Sequence, residues 1–262
     1  MPAKWSEGQK QERKVELIRL YVKENKTIFE VGETLGIAYQ TVFGQLKKLN
    51  IRTCPRKKPG YLLTPRKDIV IPRKRSIGLA EFFGIMHGDG NLSHYQCQVT
   101  LGTKEASYVR YVQKIMKSLF RVNAKICIRA GGKYQIIYIG STELTDWLQK
   151  EGLVFNKVAS QVDVPRWILN NKSYMKAWLK GFFDTDGSIY KLRWGTQIEF
   201  TNHSAPLLHS ARKMLLCLNY SPSKVSGSKV YITKKDQVKR FFREIKPANS
   251  KHVKRYNSFK NG

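Results

Sequence analysis

Apolar residues recur at helical spacing in three short stretches near the N-terminus. Val15, Leu17, Ile18, Tyr21 and Val22 form one stripe and predict a helix over 12–23. Thr27 caps a second helix over 28–35, which Gly36 ends. A third helix, 39–49, turns Val42, Leu46 and Leu49 inward and leaves Tyr39, Gln40 and Thr41 available to a partner. Gly32 falls where the second helix crosses the third and permits a close approach.

Beyond residue 76 helical and alternating patterns follow one another in an order that occurs twice. The first half reads helix 77–88, strand 96–102, helix 104–120, strands 125–129 and 133–139, helix 142–151. The second reads helix 174–185, strand 196–201, helix 205–218, strands 223–225 and 229–233, helix 235–245. Duplicated units of like order tend to pair about a pseudo-twofold axis. Tyr138, Ile139 and Gly140 match half of a GIY-YIG nuclease signature, but no G-I-Y segment precedes them; they read better as a strand end, with Ser141 or Thr142 capping the next helix.

Between the N-terminal helices and the duplicated region, Pro55, Pro59, Pro65 and Pro72 block regular helix in a segment dense in Lys and Arg. The organisation expected is therefore a small all-α module (1–51), a basic linker (52–76), repeat 1 (77–165), repeat 2 (166–246) and a basic tail (247–262). Charge sharpens the picture: 48 Lys and Arg against 19 Asp and Glu give a formal charge of +29 over 262 residues. So large a one-signed excess calls for a polyanionic partner, and the linker residues Arg56, Lys57, Lys58, Arg73, Lys74 and Arg75 are placed to follow phosphates. Four scattered cysteines with no C-x-x-C pair argue against a zinc ribbon or a disulfide framework. No apolar run reaches about 18 residues and the first residues lack a signal-like core, so no membrane is expected and an intracellular, DNA-associated, unsecreted protein is.

The chemistry concentrates where each half begins. LAEFFGIMHGDGNLS (79–93) and MKAWLKGFFDTDGSIYK (175–191) align on G-x-x-x-x-D-G. Gly84 and Gly88 share one helical face, as do Gly181 and Thr185, and glycine inside a helix costs up to about 1 kcal/mol relative to alanine, so its presence points to close helix packing. If those faces meet, Asp89 and Asp186 come together. Paired carboxylates repel, and a divalent cation in an all-oxygen setting relieves the repulsion, with backbone carbonyls of Gly88 and Thr185 at the helix ends as further donors. The halves are unequal: His87 stands where the second motif has Asp184, and Glu81 where it has Trp178. His87 reads either as a proton carrier or as a tolerated substitution at a helix end.

These motifs resemble the paired signature of the LAGLIDADG homing endonucleases in their single-chain form, and TIFEVGETLGIAYQTVFGQLKKLNI (27–51) resembles a DNA-binding helix-turn-helix. The first resemblance implies an α+β fold of two pseudo-symmetric αββαββα halves with saddle-shaped antiparallel sheets. It implies a monomeric, site-specific double-strand DNA endonuclease using Mg2+ or Mn2+ held by Asp89 and Asp186. A basic residue near the centres is usual in that family, and Lys133 and Lys229 are the candidates. The sheets would read the major groove through Gln96, Gln98, Arg129, Lys133, Gln135, Arg193, Gln197 and Glu199. The alternative on the same scaffold is a DNA-binding transcription regulator, or a maturase acting on its own intron RNA; two retained acids favour catalysis, because buried paired carboxylates cost stability without a cation.

Overall fold

The computed structural model describes residues 6–24, 26–51, 68–128 and 131–260. The chain forms two compact units, Met1–Thr64 and Pro65–Gly262.

In the first unit, Ser6 and Gln9 form a capping box at the start of α1 (Glu7–Leu17), which continues as a π-helical turn, Ile18–Lys23. The wider turn rotates the stripe, so Leu20 and Tyr21 enter the core while Val22, expected there, is half exposed. Thr27 and Glu30 make a second capping box on α2 (Ile28–Leu35), and Gly36, at φ 62°, closes it in the left-handed conformation. α3 (Tyr39–Lys48) buries Val42 and Leu46 beside Leu17, Leu20 and Val31. Gly32 is needed at the turn: a Cβ there would lie 2.7 Å from the Ile37 carbonyl oxygen.

The second unit holds the two halves. Most of the expected linker, residues 52–67 with Arg56, Lys57 and Lys58 among them, lies outside the described residues. Its remaining residues belong to this unit, with Ile69 and Ile71 on the core and the Val70 amide donating to the Phe120 carbonyl at 3.0 Å. The first half runs α4 (Ile77–His87), β1 (Gly90–Ser93), β2 (Gln96–Gly102), α5 (Ala106–Phe120), β3 (Lys125–Ile128), β4 (Tyr134–Gly140) and α6 (Thr142–Lys150). The second runs α7 (Arg166–Leu169), α8 (Lys172–Asp186), β5 (Gly187–Leu192), β6 (Gly195–Thr201), α9 (Ala205–Cys217), β7 (Lys229–Ile232) and α10 (Lys235–Glu244). Both sheets are antiparallel, ordered β1-β2-β4-β3 and β5-β6-β7. One core runs through both halves, with α4 and α8 buried along nearly their whole length.

Three departures from the sequence reading matter. Strands β1 and β5 follow directly from the motif glycines and are too short or too polar to show alternation. Residues 223–225 are not a strand: Pro222 and the turn at Ser226–Gly227 (Gly227 φ 55°) break the ladder, leaving one bridge from Ser226 to Lys229, so the second sheet has three strands where the first has four. The expected tail contains a helix, α11 (Ser250–Lys260), which packs on β5.

Candidate functional site

The site begins with the crossing of α4 and α8. A Cβ on Gly84 would collide with the Trp178 carbonyl, and one on Gly181 with the Glu81 carbonyl. The contact is reciprocal, as a pseudo-twofold requires, and lets the backbones touch. Thr185 Oγ1 occupies the space beside Gly88 that a Cβ would need, and donates back to the Gly181 and Phe182 carbonyls at 3.0 and 3.1 Å.

This packing carries Asp89 and Asp186 to the same end of the helix pair. Burial raises both carboxyls above their ordinary range, Asp186 to about 7, and repulsion from Asp89 adds to the effect on Asp186. Asn202, just past β6, donates through Nδ2 to Asp186 Oδ2 at 2.5 Å and opposes that rise. A cleft of about 550 Å³ opens beside the acids, lined by Gly88, Lys157, Thr185, Asp186, Asn202 and Lys251 among others.

Two lysines that the sequence reading did not single out face the acids. Lys157, from the connector after α6, donates through Nζ to the Gly88 and Met86 carbonyls, and its ammonium attracts both carboxylates; burial holds its own pKa below the usual lysine value. Lys251, in the first turn of α11, pairs with Glu105 at 3.2 Å and also acts on Asp89 and Asp186. A spacing signal was present: Lys157 follows Lys150, the last residue of α6, by the same interval at which Lys251 follows Glu244, the last residue of α10. Lys133 and Lys229 lie elsewhere. Lys133 is exposed ahead of β4, and Lys229 is tied to Glu199 at 3.0 Å on the outer face of the second sheet. The Gly88 carbonyl, expected to face a metal, accepts from Lys157.

The third acid has another task. Asp184 accepts from the backbone amides of Ala248 and Asn249, both at 2.9 Å, and its carbonyl accepts from Asn249 Nδ2 at 3.0 Å, so the acid fastens the start of α11 to the end of α8. Burial raises its pKa to about 7. His87 is also buried; its Nδ1 accepts from Trp178 Nε1 at 2.9 Å and burial depresses it to about 3. Burial thus favours its neutral form, packed across the helix pair.

The sheets have one face on the core and one away from it. On the first, Cys97, Val99 and Leu101 face inward, which puts Gln96 and Gln98 outward, with Gln96 Nε2 donating to Gln98 Oε1 at 2.6 Å. Gln135 pairs with Leu101 and so faces inward, its Nε2 on the Gly102 carbonyl; the expected strand phase was wrong by one residue there. On the second sheet Ile198 and Phe200 are core and Gln197 and Glu199 face out, Glu199 held by Lys229 and by Thr201 Oγ1 at 2.8 Å. Arg193 lies over the ring of the exposed Trp194 at the β5–β6 turn. Arg129 is outside the described residues. Arg73 and Lys74 are exposed, but Arg75 is engaged by Glu151 at 3.0 Å and by the Trp167 ring. In the first unit Tyr39, Gln40 and Thr41 are exposed at the start of α3, with Tyr39 stacked on Phe29 at 4.4 Å.

Residues 173–246 match the family model described as LAGLIDADG-like domain. Among curated proteins, the probable cell division protein WhiA of Thermoanaerobacter sp. (strain X514) is 24% identical over 147 residues, covering 52% of this chain and 46% of the relative. That of Heliobacterium modesticaldum is 27% identical over 127 residues, 45% of this chain and 40% of the relative. The chain thus spans about half the length of the curated relatives it matches. Among solved structures, it is similar to the homing endonuclease I-DmoI in complex with DNA and Mn (18% identity, TM-score 0.47, 64% of this chain and 96% of that one). It is similar as well to the N-terminal LAGLIDADG domain of DUF199/WhiA (18% identity, TM-score 0.47, 67% and 86%). No helix among the described residues is long and apolar enough to cross a membrane.

Proposed function

We propose that the protein is a site-specific double-strand DNA endonuclease of the homing type, with Asp89 and Asp186 as its divalent-metal ligands. One observation carries the reading. The two halves each deliver a largely buried carboxyl to a single point beside a cleft, raised in pKa by burial, with Lys157 of the connector and Lys251 of α11 facing them. Nothing in folding requires such a pair, and repulsion makes it unfavourable until a cation neutralises it.

The donor set suits a hard cation. No group of three or more His, Cys, Asp or Glu side chains gathers among the described residues, and Mg2+ commonly takes one or two carboxylates and completes its octahedron with water and substrate phosphate oxygens. When bound, the ion supplies charge neutralisation at phosphorus and a water of lowered pKa. The chain's own residues do the rest. Asn202 fixes the rotamer of Asp186, the glycine crossing sets the spacing of the two acids, and the ammonium groups of Lys157 and Lys251 oppose the upward pull of burial on the carboxyls and attract the phosphodiester into the cleft. DNA lies along the outer sheet faces, with Gln96, Gln98, Arg193 and Gln197 towards the bases, and with Tyr39, Gln40 and Thr41 of the first unit adding a separate contact.

A second reading on the same scaffold is binding to DNA, or to an intron RNA, without cleavage, and the curated relatives bear the name of a cell division protein and not of a nuclease. Digestion of a plasmid library containing the source genome, with Mg2+ or Mn2+, separates the two. Discrete linear products establish the nuclease; sequence-specific retention of duplex or RNA with no cut at any metal concentration establishes the second reading.

A further inference from the structure

The two outer sheet faces differ in chemistry where they leave the acids. On the first sheet the residues facing out from the β1–β2 hairpin are amides and a hydroxyl: Asn91 pairs with Gln98, and Ser93 with Gln96. On the second, Ile189 is buried, so its neighbours Tyr190 and Leu192 face outward, and they remain 43% and 42% exposed. Tyr190 pairs with Gln197, and Leu192 with Gly195, which offers no side chain to cover it. Trp194 continues this apolar series at the turn, 86% exposed. Lys191 points to the opposite face of the strand, but Arg193 lies over the Trp194 ring at 5.0 Å, so a cation borders the apolar surface at the turn and suits it to a polyanion.

Resting on the endonuclease reading, we infer that Tyr190 and Leu192 are specificity-determining residues that read thymine methyl groups in the major groove. That groove presents one apolar group, the thymine C5-methyl, and an aliphatic or aromatic-edge contact is its natural complement, whereas amides such as Gln96 and Gln98 pair with adenine. The strand also provides a ruler. β5 starts directly after Asp186, and a strand rises about 3.3 Å per residue against about 3.4 Å per base pair, which places Tyr190 about four and Leu192 about six base pairs from the cleavage centre. The two half-sites are consequently unlike: the half under the second sheet carries thymines at those steps, and the half under the first carries adenines.

The test is selection from a random duplex library with the full chain in EDTA, followed by deoxyuridine replacement in the selected duplex. Uracil keeps every hydrogen bond and lacks only the methyl. Replacement at the two thymines is expected to weaken binding about fourfold per position, the effect of exposing one methyl group, while replacement elsewhere leaves affinity within about twofold. Leu192→Asn should bind the thymine and uracil duplexes alike at its position. An enriched site without thymine there, or one indifferent to uracil, overturns the inference and leaves the endonuclease reading standing. If no sequence is enriched, both fall.

Discussion

The backbone amide of Asn249 donates to Asp184 at 2.9 Å, joining the residue two before Asp186 to a helix that begins beyond the matched LAGLIDADG segment. The D-T-D sequence of the second motif thus holds two acids with separate work: Asp186 faces the cleft and Asp184 fastens α11. Asp184→Asn keeps one acceptor oxygen and leaves a buried amide without a charged partner, so a stability loss of about 1–3 kcal/mol is expected in urea denaturation. Loss of α11 from its place should also lower cleavage by withdrawing Lys251. An unchanged denaturation midpoint would mean that the tether is dispensable.

Asp89→Asn and Asp186→Asn should each reduce cleavage on the order of 10³-fold or more while keeping specific binding, because each removes a proposed metal ligand and leaves both sheet faces intact. Gel-shift affinity and plasmid cleavage measured on the same preparation check this. Parallel loss of both quantities would instead point to a folding defect.

Lys157→Met and Lys251→Met are expected to slow cleavage by one to two orders of magnitude, roughly the contribution of a positioned charge at a developing phosphorane. Lys133→Met should leave the rate constant unchanged, since that side chain is exposed and does not line the cleft beside the acids. Single-turnover kinetics with saturating protein separates these effects from binding. The reverse ranking would restore the expectation drawn from sequence.

Gly84→Ala and Gly181→Ala test the crossing. Alanine improves helix propensity by up to about 1 kcal/mol, yet each methyl would meet a backbone carbonyl that cannot rotate aside, and overpacking costs about 1–3 kcal/mol or more. A net loss of stability is expected at both positions, against a gain at an exposed helical glycine such as Gly8.

Asp186 titrates near 7 in the fold against 3.8 when free. Between those values the folded chain holds the extra proton, so the stability this group contributes is present at low pH and is lost as pH rises through about 7. Buried His87 and His252, both held near 3, act in the opposite sense below about 6.5, so the whole-protein profile mixes the two trends. Comparison with Asp186→Asn isolates the acid: in EDTA the variant should gain melting temperature over the parent at pH 8 and lose that advantage progressively as pH falls from about 7 to 3.8. Mg2+ should close the gap at pH 8. A difference independent of pH would show the carboxyl to be solvated.

Binding should be steeply dependent on salt, falling roughly a thousandfold or more between about 50 and 200 mM, as expected for a protein that neutralises several phosphates. Filter binding across that range measures it. A flat response would remove the role assigned to the +29 charge.

Much of the helical layout was legible because its signals are local: Thr27 and Ser141 as caps, Gly36 as a stop, and glycines on one face of each motif helix. Those glycines were enough to foresee that Asp89 and Asp186 meet. The lysines facing the acids were not legible, since Lys157 and Lys251 lie in a connector and an expected tail and are brought to the site only by tertiary packing. Gln135 failed for a different reason. β4 has apolar residues on both faces, Ile136 outward and Ile137 inward, so alternation could not fix its phase.

The position of Lys157 divides the protein at a natural seam. One acid, one sheet and one lysine lie upstream of the exposed stretch around Ser160, and one of each lies downstream of it. A chain severed there would yield two fragments of matching equipment, each inert alone and dependent on the Gly84–Gly181 crossing for reunion. On the proposed endonuclease reading, such fragments, carried on separate messages, would give an activity that reports the coincidence of two expression events.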